Sequence, residues 1–153
     1  MTRFSTVWLP AEPTVTAPDG SDVRVLASLP RGSMAHFELA PGTTSAAVAH
    51  RSVEELWYVI AGTAEMWRSQ DGHEEVTTLT PGCSLSLPLG TRFQFRSLGP
   101  GPFRAVGVTM PPWPGQDEAF AVQGPWEAST PGTASAPATS ALDDNLDARN
   151  GQP

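Results

Sequence analysis

Between Asp22 and Met110 the chain is a succession of short apolar or alternating runs, each closed by a glycine or proline turn signal. The runs fall at 22–28, 33–40, 44–50, 53–60, 63–69, 73–79, 83–87, 91–97 and 102–110. Between them stand Pro30-Arg31-Gly32, Pro41-Gly42, Ala61-Gly62, Asp71-Gly72, Pro81-Gly82, Leu89-Gly90 and Gly99-Pro100-Gly101. No run reads as an amphipathic helix of useful length, so the pattern predicts an all-β sandwich or barrel. Asp71-Gly72 is the clearest hairpin turn among the breaks.

The flanks differ from this core. Residues 1–21 are polar and Pro-rich and are expected to form an N-terminal arm or edge strand, with a turn signal at Pro18-Asp19-Gly20. The barrel proper is assigned to 22–120. Pro111-Pro112-Trp113-Pro114-Gly115 cannot be an interior strand, because its prolines lack amide donors. Residues 121–153 are rich in Ala, Ser, Thr and Pro and bury too little apolar surface to offset their ordering entropy, so a flexible tail is expected.

Charge and composition exclude several function classes. A net charge of −7 argues against nucleic acid, which needs a basic face. All nine basic residues are arginines, and without lysine a Schiff-base mechanism or pyridoxal attachment is impossible. No apolar run approaches the ~20 residues that cross a bilayer, and the N-terminus lacks the apolar stretch of a secretion signal. Cys83 is the sole cysteine and cannot form an internal disulfide, which agrees with a cytoplasmic location. The absence of lysine beside abundant Ala, Gly, Pro and Arg fits a GC-rich bacterial source.

Two blocks carry a spacing of their own. The first runs Gly42, five residues, Val48-Ala49-His50, four residues, Glu55, six residues, Gly62. The second runs Gly82, five residues, Pro88-Leu89-Gly90, two residues, Phe93, three residues, Ser97. Together they resemble the two motifs of the cupin superfamily, in which the positions of Val48 and Phe93 are histidines and that of Ser97 is Asn. The resemblance implies a cupin-type double-stranded β-helix, a jelly-roll barrel, and often a homodimer in which an N-terminal arm pairs with the neighbour's sheet. It also covers metal-dependent dioxygenases, decarboxylases and isomerases, metal-free epimerases and isomerases, and domains that only bind ligands.

By analogy with the family, Val48 and His50 point into the barrel, as do Glu55, Trp57 and Val59 on the next strand. Phe93 and Phe95 line the same cavity, and Ala64 and Met66 join them as the apolar face of their strand. Glu54, Leu56, Tyr58 and Ile60 then face outward. The expected site is an apolar, aromatic cavity holding one imidazole and one carboxyl group.

His50 and Glu55 are the candidate catalytic residues, because an imidazole and a carboxyl raised by burial can both trade protons near neutral pH. Val48, Trp57, Val59, Met66, Phe93 and Phe95 are the candidate pocket. Three readings stay open. The leading one is a small-molecule enzyme without a tightly held metal, moving a proton in an isomerisation, dehydration, cyclisation or decarboxylation, thus an isomerase or lyase. The second is a non-catalytic binder of an apolar molecule. The third is a metal-dependent oxygenase in which His50 and Glu55 hold a weak or substrate-assisted divalent metal, with His36, Glu54 or Cys83 as an irregular third ligand.

The remaining chemistry-bearing residues read as structural. His36 lies opposite the apolar face of Ala35, Phe37 and Leu39, and His73 follows a turn in solvent. Cys83 reads as a small buried residue. Arg92 and Arg96 share an outer face opposite Phe93 and Phe95. Trp113 is expected to cap a barrel mouth or to pack in a dimer interface.

Overall fold

A computed structural model describes residues 2–129. The strands are β1 (Val15–Thr16), β2 (Asp22–Leu29), β3 (Gly32–Leu39), β4 (Val48–His50), β5 (Glu54–Ala61) and β6 (Ala64–Gln70). They continue as β7 (His73–Leu79), β8 (Ser84–Leu87), β9 (Arg92–Ser97), β10 (Phe103–Met110) and β11 (Ala119–Ala121), with a single 3₁₀ turn at Gln116–Glu118. One sheet has the order β1-β2-β3-β10-β5-β8 and the other β11-β4-β9-β6-β7. All pairings are antiparallel. The two sheets face each other as a double-stranded β-helix, a jelly-roll barrel.

The strands follow the turn signals closely. Asp71 and Gly72 both adopt positive φ, 49° and 78°, and close the β6–β7 hairpin with Gln70 opposite His73. That is the two-residue turn whose twist matches its strands, and it needs left-handed residues at both positions. Along β5 burial alternates strictly: Glu55, Trp57 and Val59 are buried while Glu54, Leu56, Tyr58 and Ile60 are exposed. The run 44–50 is the exception, since only Val48–His50 is a strand. The stretch before it is tied down by Ser45 donating to the Phe95 carbonyl (2.8 Å) and Ala46 to the Asp19 carbonyl (2.8 Å).

β1 lies at a sheet edge within the stretch expected as an arm or edge strand, whereas β11 has no counterpart in the sequence pattern, because three residues carry no periodicity. Residues 121–129, grouped by composition with the tail, lie against the five-stranded sheet. Val122 donates to the Ala47 carbonyl (3.0 Å), and the buried Gln94 side chain exchanges hydrogen bonds with the backbone of Trp126 (2.9 and 3.1 Å). The Arg96 guanidinium sits 4.2 Å above the Trp126 ring. The rest of the expected flexible tail lies outside the described residues.

The core fills one end of the barrel with Val59, Met66, Phe95, Phe103 and Ala105, all fully buried. Phe95 and Phe103 meet at 5.9 Å. Truncating either ring to alanine is expected to cost about 3–5 kcal/mol. Among the described residues no helix is long and apolar enough to cross a membrane.

Candidate functional site

The other end of the barrel is hollow. A cavity of about 280 Å³ opens between the sheets, lined by Val48 and His50 from β4, Glu55 and Trp57 from β5, and Phe93 from β9. These are five of the nine residues the sequence placed there. Val59, Ala64, Met66 and Phe95 are a correction: they point inward but are packed in the core and do not line the cavity. Trp57 is the partition. Its ring stacks on Phe37 at 5.2 Å and meets Phe93 and Phe95 edge-on at 6.2 and 5.1 Å. Side chains beyond that layer pack on each other. Alternation fixes which face a residue takes, and it says nothing of its depth.

Short local devices hold the two polar groups. β4 is pinned between β9, where Val48 faces Phe93, and β11, where Ala119 faces His50. The loop from His50 to Glu55 wraps around Glu118. That carboxylate accepts from Ser52 N (2.6 Å), Ser52 Oγ (2.8 Å) and Val53 N (2.7 Å), and Arg51 N donates to its carbonyl (2.9 Å). Trp113 closes the other side. Its amide donates to Ser33 Oγ (2.9 Å), which also bonds Thr109 Oγ1 (2.6 Å), and its ring stands edge-on to His50 at 5.2 Å. Phe93 meets the imidazole edge-on from the opposite side at 5.3 Å.

His50 Nδ1 lies 3.6 Å from Glu55 Oε2, with both side chains buried. Burial pulls the imidazole down from 6.5 to about 4, with the Glu118 charge opposing. Burial pushes the Glu55 carboxyl up from 4.5 to about 8. The Trp57 indole N–H opposes that rise and Asp19 adds to it. The indole nitrogen stands near the carboxyl without a hydrogen bond that meets ordinary geometry. Burial thus disfavours the charged form of both partners. The direction of both shifts favours a neutral pair over an ion pair.

The donors do not assemble a metal site. Val48 and Phe93 occupy two of the positions that carry ligands in the family, and neither can coordinate. Among the described residues no three His, Cys, Asp or Glu side chains converge on a common point. The three auxiliary ligands considered from sequence all lie elsewhere. His36 is buried on the outer face of its sheet, opposite Arg24 and Val106. Glu54 is exposed, and Cys83 lines a separate shallow depression with Arg68 and Leu85. His73 is exposed as expected. Arg96 pairs with Glu65 on the outer face (3.2 Å).

Sequence reasoning missed Asp19, Phe37, Gly107 and Glu118. Asp19 reads as a turn residue, yet it is buried in the cavity wall. Its Oδ1 accepts from Ser21 N (2.9 Å) and Ser21 Oγ (2.6 Å), and burial raises its pKa against those bonds. Phe37 belongs to the apolar face of β3, whose orientation the sequence left open. At Gly107 an added Cβ would overlap the Phe37 ring and press on Glu55 Oε1 at 3.0 Å. That glycine makes room for the acid. Glu118 carries no local signal, since its partners are some 65 residues away in sequence.

Fold and cavity define a small double-stranded β-helix with a closed, aromatic interior. Residues 35–109 match the family described as Cupin domain. The chain belongs to the cupin superfamily. It is 31% identical over 88 residues to the xanthan biosynthesis protein XanB of Xanthomonas campestris pv. campestris, a match that covers 58% of this chain and 18% of that protein. The chain thus spans less than a fifth of the length of the curated relatives it matches. Among solved structures, a conserved protein with a double-stranded β-helix domain from Klebsiella pneumoniae superposes with a TM-score of 0.56. It is 23% identical, with 68% of this chain and 80% of that one covered. KdgF from Halomonas sp. superposes with a TM-score of 0.53 at 21% identity, covering 69% and 87%. At such identities the structures share the fold alone.

Proposed function

We propose that the protein is a small-molecule enzyme of the cupin type that moves a proton within its apolar cavity, using His50 as base and Glu55 as acid. The observation that supports this is the neutral pair: a free imidazole 3.6 Å from a carboxyl that keeps its proton at neutral pH, both facing a cavity of small-molecule size. In the step proposed, His50 takes a proton from a carbon of the ligand. The C–H electron pair moves toward an adjacent acceptor atom, and the Glu55 O–H supports the charge that develops there. Return of the proton at a second carbon completes an isomerisation, while loss of a leaving group completes a dehydration. No part of the step uses a metal, because the donor set does not fit one. Phe93 and Trp113 keep water off the imidazole, and Glu118 fixes the loop between base and acid.

The test is carbon-bound hydrogen exchange. A panel of small carbon acids is incubated with the protein in heavy water and followed by NMR. Exchange by the wild type that falls about 10²–10⁴-fold in His50→Ala and in Glu55→Gln supports the reading. A compound that binds in the cavity and exchanges no faster than in buffer would make this cupin a ligand-binding protein without catalysis.

A further inference from the structure

The charge inventory of the cavity says what can enter it. No arginine lines it. Lysine is absent from the chain. Five of the eight described arginines are engaged elsewhere: Arg24 and Arg104 with Glu38, Arg68 with Glu75, Arg96 with Glu65, and Arg51 with the Asp117 carbonyl. The wall instead carries two carboxyl groups, Glu55 and Asp19. Asp19 already has two donors from Ser21, whereas Glu55 is 4% exposed and has the His50 imidazole at 3.6 Å and the Trp57 indole N–H as its polar neighbours, with no cation among them. The rest is aromatic and aliphatic: Phe37, Val48, Trp57, Phe93 and Trp113.

An anionic ligand would lose its water here and gain no counter-charge, with two acids beside it. With no arginine or lysine beside it, a buried carboxyl suits a neutral acceptor atom better than an anion. We propose that the cavity binds an uncharged carbonyl compound, its oxygen accepting from the Glu55 carboxyl and its hydrocarbon part lying among the aromatic rings, and that it rejects the corresponding carboxylate. This rests on the acid/base reading of the same site and names its substrate class: a neutral ketone or aldehyde bearing hydrogen on the carbon next to the carbonyl, within reach of His50.

Matched probes of one shape separate the possibilities. Calorimetric titration of the full chain at neutral pH compares acetophenone, benzoate and benzylamine. Saturable binding of acetophenone, with both charged probes at least about tenfold weaker, is the expected result. Glu55→Leu, which suits an apolar wall and is expected to fold, should bind acetophenone about tenfold less tightly, whereas Glu55→Gln keeps a donor and most of the affinity. Benzoate or benzylamine binding as well as acetophenone overturns the proposal. So does undiminished ketone binding by Glu55→Leu, or no ketone binding by the wild type. Exchange of the acetophenone methyl hydrogens in heavy water gives a separate readout. Glu55-dependent binding without His50-dependent exchange supports the ligand class and counts against proton transfer. His50-dependent exchange in an anionic carbon acid such as phenylacetate, with no ketone binding, overturns the ligand class and leaves proton transfer standing.

Discussion

Glu55 should make the stability of this protein depend on pH in a direction opposite to that of most carboxylates. Its pKa is raised in the folded chain, from 4.5 to about 8, by burial first. A group of that kind contributes stability that is fully present below its unfolded pKa and is lost as pH rises through its folded pKa, because the unfolded chain releases the proton first. The whole shift corresponds to about 5 kcal/mol, and the part that falls between about pH 4.5 and pH 7 to about 3 kcal/mol. Glu55→Gln removes the titration and keeps the shape. The unfolding free energy of the wild type minus that of Glu55→Gln should therefore fall by about 3 kcal/mol over that interval and level off above about pH 8. Urea midpoints at a series of pH values measure it.

The raw wild-type curve would mislead, because His50 works the other way. Its pKa is lowered from 6.5 to about 4, so its contribution is present above 6.5 and is lost as pH falls through 4. Taking the difference against Glu55→Gln cancels most of that, and repeating the pair in a His50→Ala background removes it altogether. A difference that stays flat within about 0.5 kcal/mol from pH 4.5 to pH 8 would mean that Glu55 is ionised in the folded chain, and the neutral acid would fall with it.

Two further outcomes follow from the same geometry. Val48→His with Phe93→His places two imidazoles opposite each other beside His50 and Glu55. Elemental analysis after incubation with Ni(II) or Zn(II) should then find close to one metal per chain where the parent holds little, and equal metal in both would contradict the reading of the donor set. Glu118→Ala strips three charge-assisted hydrogen bonds from the loop between base and acid. It should lower the unfolding free energy by about 3 kcal/mol in urea titrations and reduce His50-dependent exchange more than ligand binding.

The fold was legible because turn chemistry is local. Asp71-Gly72, Pro81-Gly82 and the other breaks report backbone geometry that neighbouring residues alone impose, so every strand from β2 to β10 except β4 fell within a residue or two of the runs between them. The placement of His50 and Glu55 in one cavity came from the motif spacing. What stayed hidden is long-range. Asp19 reaches the cavity because its carbonyl takes the Ala46 amide, and Glu118 holds Ser52 and Val53 from across the chain. Neither contact leaves a periodicity to read. The depth of Val59, Met66 and Phe95 was hidden for another reason: whether an inward residue lines a void depends on the bulk of its neighbours, here the Trp57 and Phe37 pair.

Two of the three departures from the family motifs, Val48 and Phe93, account for the chemistry proposed for what remains. Imidazoles at positions 48 and 93 would leave Glu55 beside polar, metal-binding groups that favour its ionised form. Val48 and Phe93 are instead almost completely buried, and Phe93 stands edge-on to His50. With those side chains in place nothing in the cavity wall offers the Glu55 carboxyl a positive charge, and burial becomes the leading cause of its raised pKa. Burial likewise lowers the proton affinity of His50, against the charge of Glu118. In the proposed reading, replacing two ligand positions by apolar side chains leaves His50 and Glu55, 3.6 Å apart, to act as base and acid. Restoring imidazoles at 48 and 93 should therefore do more than bind metal: it should bring Glu55 back toward the ordinary carboxylate range, so that gain of metal and loss of the neutral acid arrive together.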